Sequence, residues 1–334
     1  MKNRFIKGSL AALVATLATN AFAATEVTVY TAFEADILAK YKNAFEQANP
    51  DIQIKWVRDS TGIMTAKLLA EKNNPQAEVV WGLAGSSMAL LKEEGILKPY
   101  TPNGLDKLRV ELNDPQGEQA WYGNDAFFNA VCFNETVAKQ LDLPKPTSWE
   151  DLTNPVYKGQ IAMPNPASSG TGYMQVSAWL QNMGEDKGWA YMKDLHQNIA
   201  HYTHSGSKPC VEAGMGEVAI GISMASRGAK LKTQGAPLDV ITPAGIGWES
   251  EAVGLVAPSD AAKRVVDWSI SKEANELYIE MYPVVGHKDV EATIANFPNV
   301  QQKMAKMDFA RMGNERSDVL KTWSDKFDGK SEAK

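Results

Sequence analysis

Between residues 26 and 61, EVTVYTAFEADILAKYKNAFEQANPDIQIKWVRDST, the apolar spacing changes from the period of a strand to that of a helix and back. Val27 and Val29 alternate with polar neighbours. Ile37, Leu38, Tyr41 and Phe45 then recur on one helical face, and Ile52, Ile54 and Trp56 alternate again. Asn49-Pro50 punctuates the return. Two strands joined through a helix run parallel, and a parallel sheet needs helices to cover it. The chain is therefore expected to be α/β.

The alternation continues with a helix around Thr65 to Glu71, a short buried strand at Glu78 to Trp81, and a helix from about Ser86 to Glu94 closed by Gly95. WYGNDAFFNAVCFN (121–134) has no helical period and reads as one or two extended segments. A proline-rich run, LPKPTSWEDLTNPVYKGQIAMPNP, marks a change of region, after which the chain is helical from Thr171. Strands are expected at Glu217 to Ser223 and Leu238 to Thr242, a second extended segment at GIGWESEAVGLVAP, and helices from Ala261 on. From Gly329 the chain reads as a frayed charged end. Two extended segments, near 124–134 and 248–257, bracket a middle region of α/β character. The economical topology is a chain that leaves one domain, builds a second and returns: 24–128 with 253–334 as the first domain, 129–252 as the second. In such pairs ligands sit between the domains, at the carboxyl ends of strands and the amino ends of helices.

The first 23 residues have a basic start (Lys2, Arg4, Lys7), an apolar stretch from Leu10 to Leu17 and the small-x-small sequence Ala21-Phe22-Ala23. This predicts a cleavable secretory signal and a soluble periplasmic product. The remaining chain of about 311 residues suits two domains. Without the leader's three cations the formal charge moves from −6 to −9, which argues against nucleic acid as a partner but not against a small anion held by local donors. Export permits a disulfide between Cys132 and Cys210, the only cysteines, without requiring it. His196, His201 and His204 lack a cysteine or carboxylate at ligand spacing, so they read as solvated or core residues and no metal is expected.

The candidate site comes from small hydroxyl residues placed before helices. In PNPASSGTGYMQVSAWL, Ser168, Ser169, Gly170, Thr171 and Gly172 precede a helical pattern. There N–H groups, hydroxyls and the positive end of the helix dipole point one way, as an oxyanion requires. One of these residues suffices for an ordinary N-cap; five exceed it. RDSTGIMTAK repeats the arrangement with Ser60, Thr61 and Gly62, and HSGSKP with Ser205, Gly206 and Ser207. A ligand gripped from two domains needs such a cluster in each. Thr31 and Glu34 follow the first strand, while Trp248, Glu249 and Glu251 sit in the second extended segment. No GxSxG, HExxH, P-loop or dinucleotide fingerprint occurs, and no histidine is evidently placed to activate a serine, so catalysis is not expected.

Together, VTVYTAFEAD, KWVRDSTG, AEVVWGLAG, the proline-rich run with NPASSGTGY, THSGSKP and GEVAIGIS resemble the periplasmic solute-binding proteins of ABC importers, type 2, in the class that includes ferric-ion-binding proteins. More narrowly they are similar to the 2-aminoethylphosphonate-binding branch. The iron binders' histidine, acid and paired tyrosines are replaced here by Phe33-Glu34, Trp81-Gly82-Leu83 and Met224-Ala225, so the hard ligands that Fe(III) needs are missing. The resemblance implies two α/β domains joined by two extended hinges and a non-enzymatic, cofactor-free monomer. It would close on its ligand and deliver it to a membrane permease and its ATPase. The phosphonate would be held by Ser60, Thr61, Ser168, Ser169, Gly170, Thr171 and Ser207. The amine would meet Glu34 first, with Asp125 and Glu251 as further candidates, beside Thr31 and walls from Trp81 and Trp248. Another phosphate-bearing ligand, such as a sugar phosphate, is the alternative; a secreted serine hydrolase is the reading from another class.

Overall fold

The computed structural model describes residues 24–332, and the leader expected over 1–23 lies outside the described residues. The first domain begins with β1 (Thr25–Thr31), α1 (Ala35–Ala48), β2 (Ile52–Arg58), α2 (Thr61–Ala70), β3 (Val79–Ala84) and α3 (Gly85–Glu93). As the changing period requires, β1 runs parallel to β2 and β3. The helix expected from Thr65 starts four residues earlier, because Ser60 and Thr61 are its first turn rather than loop. Gly82, at φ +87°, takes up a register shift in β3 and has the Phe33 ring against its α-carbon, so no side chain fits there.

The segment 121–134 is one strand, β4 (Trp121–Asn134), buried at every residue. Then come α4 (Glu135–Gln140), β5 (Ile161–Pro164), α5 (Gly170–Met183), α6 (Glu185–Asn198), β6 (Ile199–Thr203), α7 (Lys208–Met215), β7 (Ile220–Met224), α8 (Ala225–Thr233) and β8 (Leu238–Ile241). The chain returns through β9 (Trp248–Leu255) and continues as α9 (Asp260–Ser269), α10 (Lys272–Tyr278), β10 (Val284–Val285) and α11 (Phe309–Phe327). The strands follow the order β2-β1-β3-β9-β4-β7-β5-β6, with β8 and β10 also on β4. Residues 121–128 of β4 pair with β9, and residues 129–134 pair with β7 and β8, so one strand belongs to both domains. Separate cores flank this crossing, one around Val29, Phe45, Ile54 and Trp81, the other around Val131, Ile161, Trp179 and Ile220.

Cys132 of β4 and Cys210 of α7 are bonded, with Cα atoms 5.3 Å apart across 78 residues, which resolves what spacing left open. Closing a loop of that length removes unfolded-state entropy worth roughly 4 kcal/mol. The tail differs from expectation. α11 packs on α3, where Gly313 meets the backbone at Ser86 and Leu90, and also on the second domain, where the Trp323 ring sits 4.8 Å from that of Tyr202. The end expected to fray is held: Lys330 Nζ donates to the carbonyls of His196 and Ile199, each at 2.6 Å.

Candidate functional site

Three helices aim their amino ends at one cleft. α2 contributes Ser60 and Thr61, α5 contributes Ser169, Gly170 and Thr171, and the turn entering α7 contributes Ser205 and Gly206. Ser169 caps α5, its Oγ accepting from Gly172 N at 3.3 Å. Ser60 and Ser207 stand at N-cap positions without capping their helices by side chain. A polar cradle of hydroxyls and helix-end amides results, with Arg58 and Glu34 the charged groups lining it.

The two domains touch closely around this cradle. Gly62 N donates to Ser168 O across the cleft at 2.8 Å. A β-carbon on Gly62 would lie 2.1 Å from Ala167 O, and one on Gly206 would lie 2.2 Å from Thr171 Oγ1. The cavity between the domains is about 30 Å³, room for one or two waters. The strands that cross between the domains beside it are β4 and β9.

The opposite side of the cleft is charged. Arg227 of α8 binds Glu34 Oε2 at 2.7 Å and reaches Asp36, which also takes Lys230 at 2.6 Å. Burial alone would lower the Arg227 pKa, but the facing carboxylates Glu34 and Asp36 more than reverse this. Ser207 Oγ donates to the same Glu34 oxygen at 3.2 Å. At the far rim His204 Nε2 lies 2.9 Å from Asp59 Oδ1, a second pair between domains. Burial would raise the Asp59 pKa; His204 and the Ser60 N–H hold it below the usual range instead.

The floor is Phe127, Met224 and Glu251. Burial pushes Glu251 up to about 8, and the charge of Glu34 adds to this. Burial likewise pushes Glu249 up to about 7, although its Oε2 accepts from Ser86 N at 2.8 Å. Asp125, opposite Glu251 in the β4–β9 register, lies well above the carboxylate range through burial and then through Glu251.

Of the residues singled out in sequence, the structure brings Glu34, Ser60, Thr61, Ser169, Gly170, Thr171 and Glu251 to the cleft, with Ser207 joined through Glu34. Others stand elsewhere. Thr31 Oγ1 accepts from Phe33 N in a fully buried turn. Ser168 Oγ donates to His204 O, behind the cradle. Trp81 is sealed in an aromatic cluster, donating to the Tyr278 hydroxyl at 3.0 Å. Trp248 donates to Ala305 O beside the Phe309 ring, and Asp125 lies beneath Glu251 rather than on the surface of the cleft. Met224 comes from the segment 223–227, whose sequence also points to the cleft, whereas Arg58 and Phe127 as lining, and the partners of Arg227 and His204, are not evident in the sequence. His201, which seemed to lack a carboxylate, has Glu212 at 2.9 Å from the following helix. Among the described residues no group of three or more His, Cys, Asp or Glu could hold a metal ion, and no helix is long and apolar enough to cross a membrane.

Residues 74–305 match the family described as bacterial extracellular solute-binding protein. The periplasmic binding protein AfuA from Actinobacillus pleuropneumoniae, solved with exogenous fructose-6-phosphate bound, superposes with a TM-score of 0.85 at 30% identity, covering 91% of this chain and 99% of that one. A probable ABC transporter periplasmic-binding protein, y4fP of Sinorhizobium fredii, is 29% identical over 76% of this chain and 72% of its own. A putative 2-aminoethylphosphonate-binding periplasmic protein of Salmonella paratyphi A is 23% identical over 72% and 70%. The two-domain α/β fold, the helix ends gathered between the domains and the match over most of its length agree: the chain belongs to the bacterial extracellular solute-binding protein family, the non-enzymatic periplasmic components of ABC importers.

Proposed function

We propose that this protein captures a small phosphate ester of a polyol, a sugar phosphate in the first instance, and hands it to a membrane permease and its ATPase. The observation that carries this reading is the convergence of three helix amino ends and their hydroxyls on one cleft. Such a cradle suits a phosphoryl group, which offers acceptor oxygens and charge but needs no arginine fork for reversible binding. On the other side Glu34 is already bonded to Arg227 and Ser207, a neutralised cluster that can both donate to and accept from ligand hydroxyls. AfuA, with fructose-6-phosphate bound, supports the same reading.

The second reading is 2-aminoethylphosphonate. It is favoured by the carboxyls gathered around the cleft, Glu34 and Asp36 beside Arg227 and Lys230, and Glu251 in the floor above Asp125. It is opposed by Arg227, whose cation occupies the carboxylate an ammonium group would seek. Isothermal titration with fructose 6-phosphate, 2-aminoethylphosphonate and inorganic phosphate separates them. The polyol reading expects the sugar phosphate to bind at least about a hundredfold tighter than the phosphonate, a difference of nearly 3 kcal/mol. The reverse order restores the amine reading, and silence from all three removes the oxyanion site.

A further inference from the structure

Beneath the cradle, Glu251 and Asp125 face each other across the β4–β9 ladder at the point where the two domains share strands. Both side chains are deeply buried, yet Glu251 also lines the cleft. Neither Asp125 oxygen nor Glu251 Oε2 has a partner at ordinary hydrogen-bond distance among the described residues, although the Tyr282 hydroxyl faces Glu251 closely enough to offset part of the upward pKa shift. The groups facing the pair are themselves neutral or acidic. β9 contributes Glu249, the turn before α1 Glu34, α1 Tyr41, α10 Tyr278, and the segment after it Tyr282. The cations of the cleft are Arg58 at its rim and Arg227, and the latter is engaged by Glu34.

Resting on the phosphate-ester reading, we propose that Asp125 and Glu251 form a proton-sharing pair that determines specificity, accepting a solute with an uncharged hydroxyl and rejecting one with an ammonium group. Two buried carboxyls without a counter-cation cannot both ionise, so one retains a proton and becomes a donor. A carboxyl–carboxylate pair then offers one O–H and several acceptor oxygens, the complement of a sugar hydroxyl, which also donates and accepts. An ammonium group has only donors and would have to displace the shared proton. The raised pKa values of both residues fit this arrangement, since burial, their first cause, disfavours the charge.

The two ligand classes are thereby expected to respond oppositely to pH. Between pH 7 and 9.5 a phosphate monoester stays dianionic, its second pKa being near 6. Loss of the shared proton in that window is expected to weaken fructose 6-phosphate by roughly tenfold or more while strengthening 2-aminoethylphosphonate. Methyl phosphate, which lacks the hydroxyls, is the control and should stay flat. Titration of the unmodified protein with these three probes across that range is the test, repeated with Glu251→Gln, in which the slope for the sugar phosphate should vanish. A flat sugar-phosphate profile in the unmodified protein, or a slope that survives Glu251→Gln, overturns the proton-sharing pair while leaving the phosphate-ester reading intact. If no phosphate ester binds at any pH, both fall together.

Discussion

The two sides of the cleft achieve polarity in opposite ways. On the cradle side, Ser60, Thr61, Ser169 and Thr171 present hydroxyls and helix-end amides that carry partial charge, with the cation Arg58 beside them. On the other side, Arg227, Lys230, Glu34 and Asp36 carry full charges that already satisfy each other. Partial charges fixed by three helices do not reorganise when an anion arrives, so they can hold it without binding it irreversibly. Compensated full charges contribute little net attraction but penalise a ligand that cannot replace the bonds it breaks. On the phosphate-ester reading proposed above, one side supplies grip and the other selection.

The largest test of this contrast concerns neither set of polar groups but the approach that brings them together. Gly62→Ala would put a methyl group 2.1 Å from Ala167 O, so closure is expected to fail and affinity for any phosphate ester to fall at least about a hundredfold. Gly62 is buried and the atoms its methyl would meet are backbone, so the melting temperature without ligand is expected to fall as well. Titration beside a thermal scan checks both; preserved affinity would show that the domains need not meet this closely. Next, Thr171→Ala removes one cradle hydroxyl. A hydrogen bond to a charged group contributes about 1.5–3 kcal/mol, so a loss of roughly tenfold to a hundredfold is expected for sugar phosphate and inorganic phosphate alike. Equal losses for both probes would mark the cradle as grip.

Arg227→Gln tests the selective side. Glu34 would lose its 2.7 Å partner and become available to a cation. Calorimetry should show sugar-phosphate affinity reduced about fivefold to tenfold and 2-aminoethylphosphonate affinity raised, narrowing the preference without touching the cradle. The smallest effect is expected at the other rim, where Asp59 and His204 are each more than a third exposed. Such a pair contributes under about 1 kcal/mol, so Asp59→Asn should cost a few-fold at most and less in high salt. The Asp59 pKa is depressed in the folded protein, so its contribution is present above the ordinary carboxylate pKa and is lost as pH falls through the depressed value. The ratio of affinities of the unmodified protein and Asp59→Asn, in which the ligand's own protonation near pH 6 cancels, should therefore not fall between about pH 7 and 4.

The parts of the molecule legible in sequence were those governed by local rules. The period changes between 26 and 61 predict β1, α1 and β2, and the clusters at 60–62 and 168–172 mark helix amino ends that do meet. What was not legible depended on direction. β3 is buried on both faces, so nothing in its sequence says which residue looks toward the cleft, and Trp81 turned inward to Tyr278. Phe127 reads as core, yet its place in β4 puts it at the cleft floor. Arg227 with Glu34, and His204 with Asp59, are separated by well over a hundred residues, so only the closed arrangement of the domains reveals them as partners. The tail misled for a related reason: a charged run looks solvated unless one knows that the carbonyls of His196 and Ile199 wait for Lys330.

That β4 is hydrogen-bonded into both domains has a consequence for how the protein melts. Two domains joined by slack linkers unfold as separate events, but here neither sheet can dissolve without releasing a strand the other needs. α11, packed on α3 and on the second domain, adds a second tie of the same kind. Calorimetry of the unliganded protein should therefore show one heat-absorption peak whose calorimetric and van't Hoff enthalpies agree, even though separate hydrophobic cores lie on either side of the crossing.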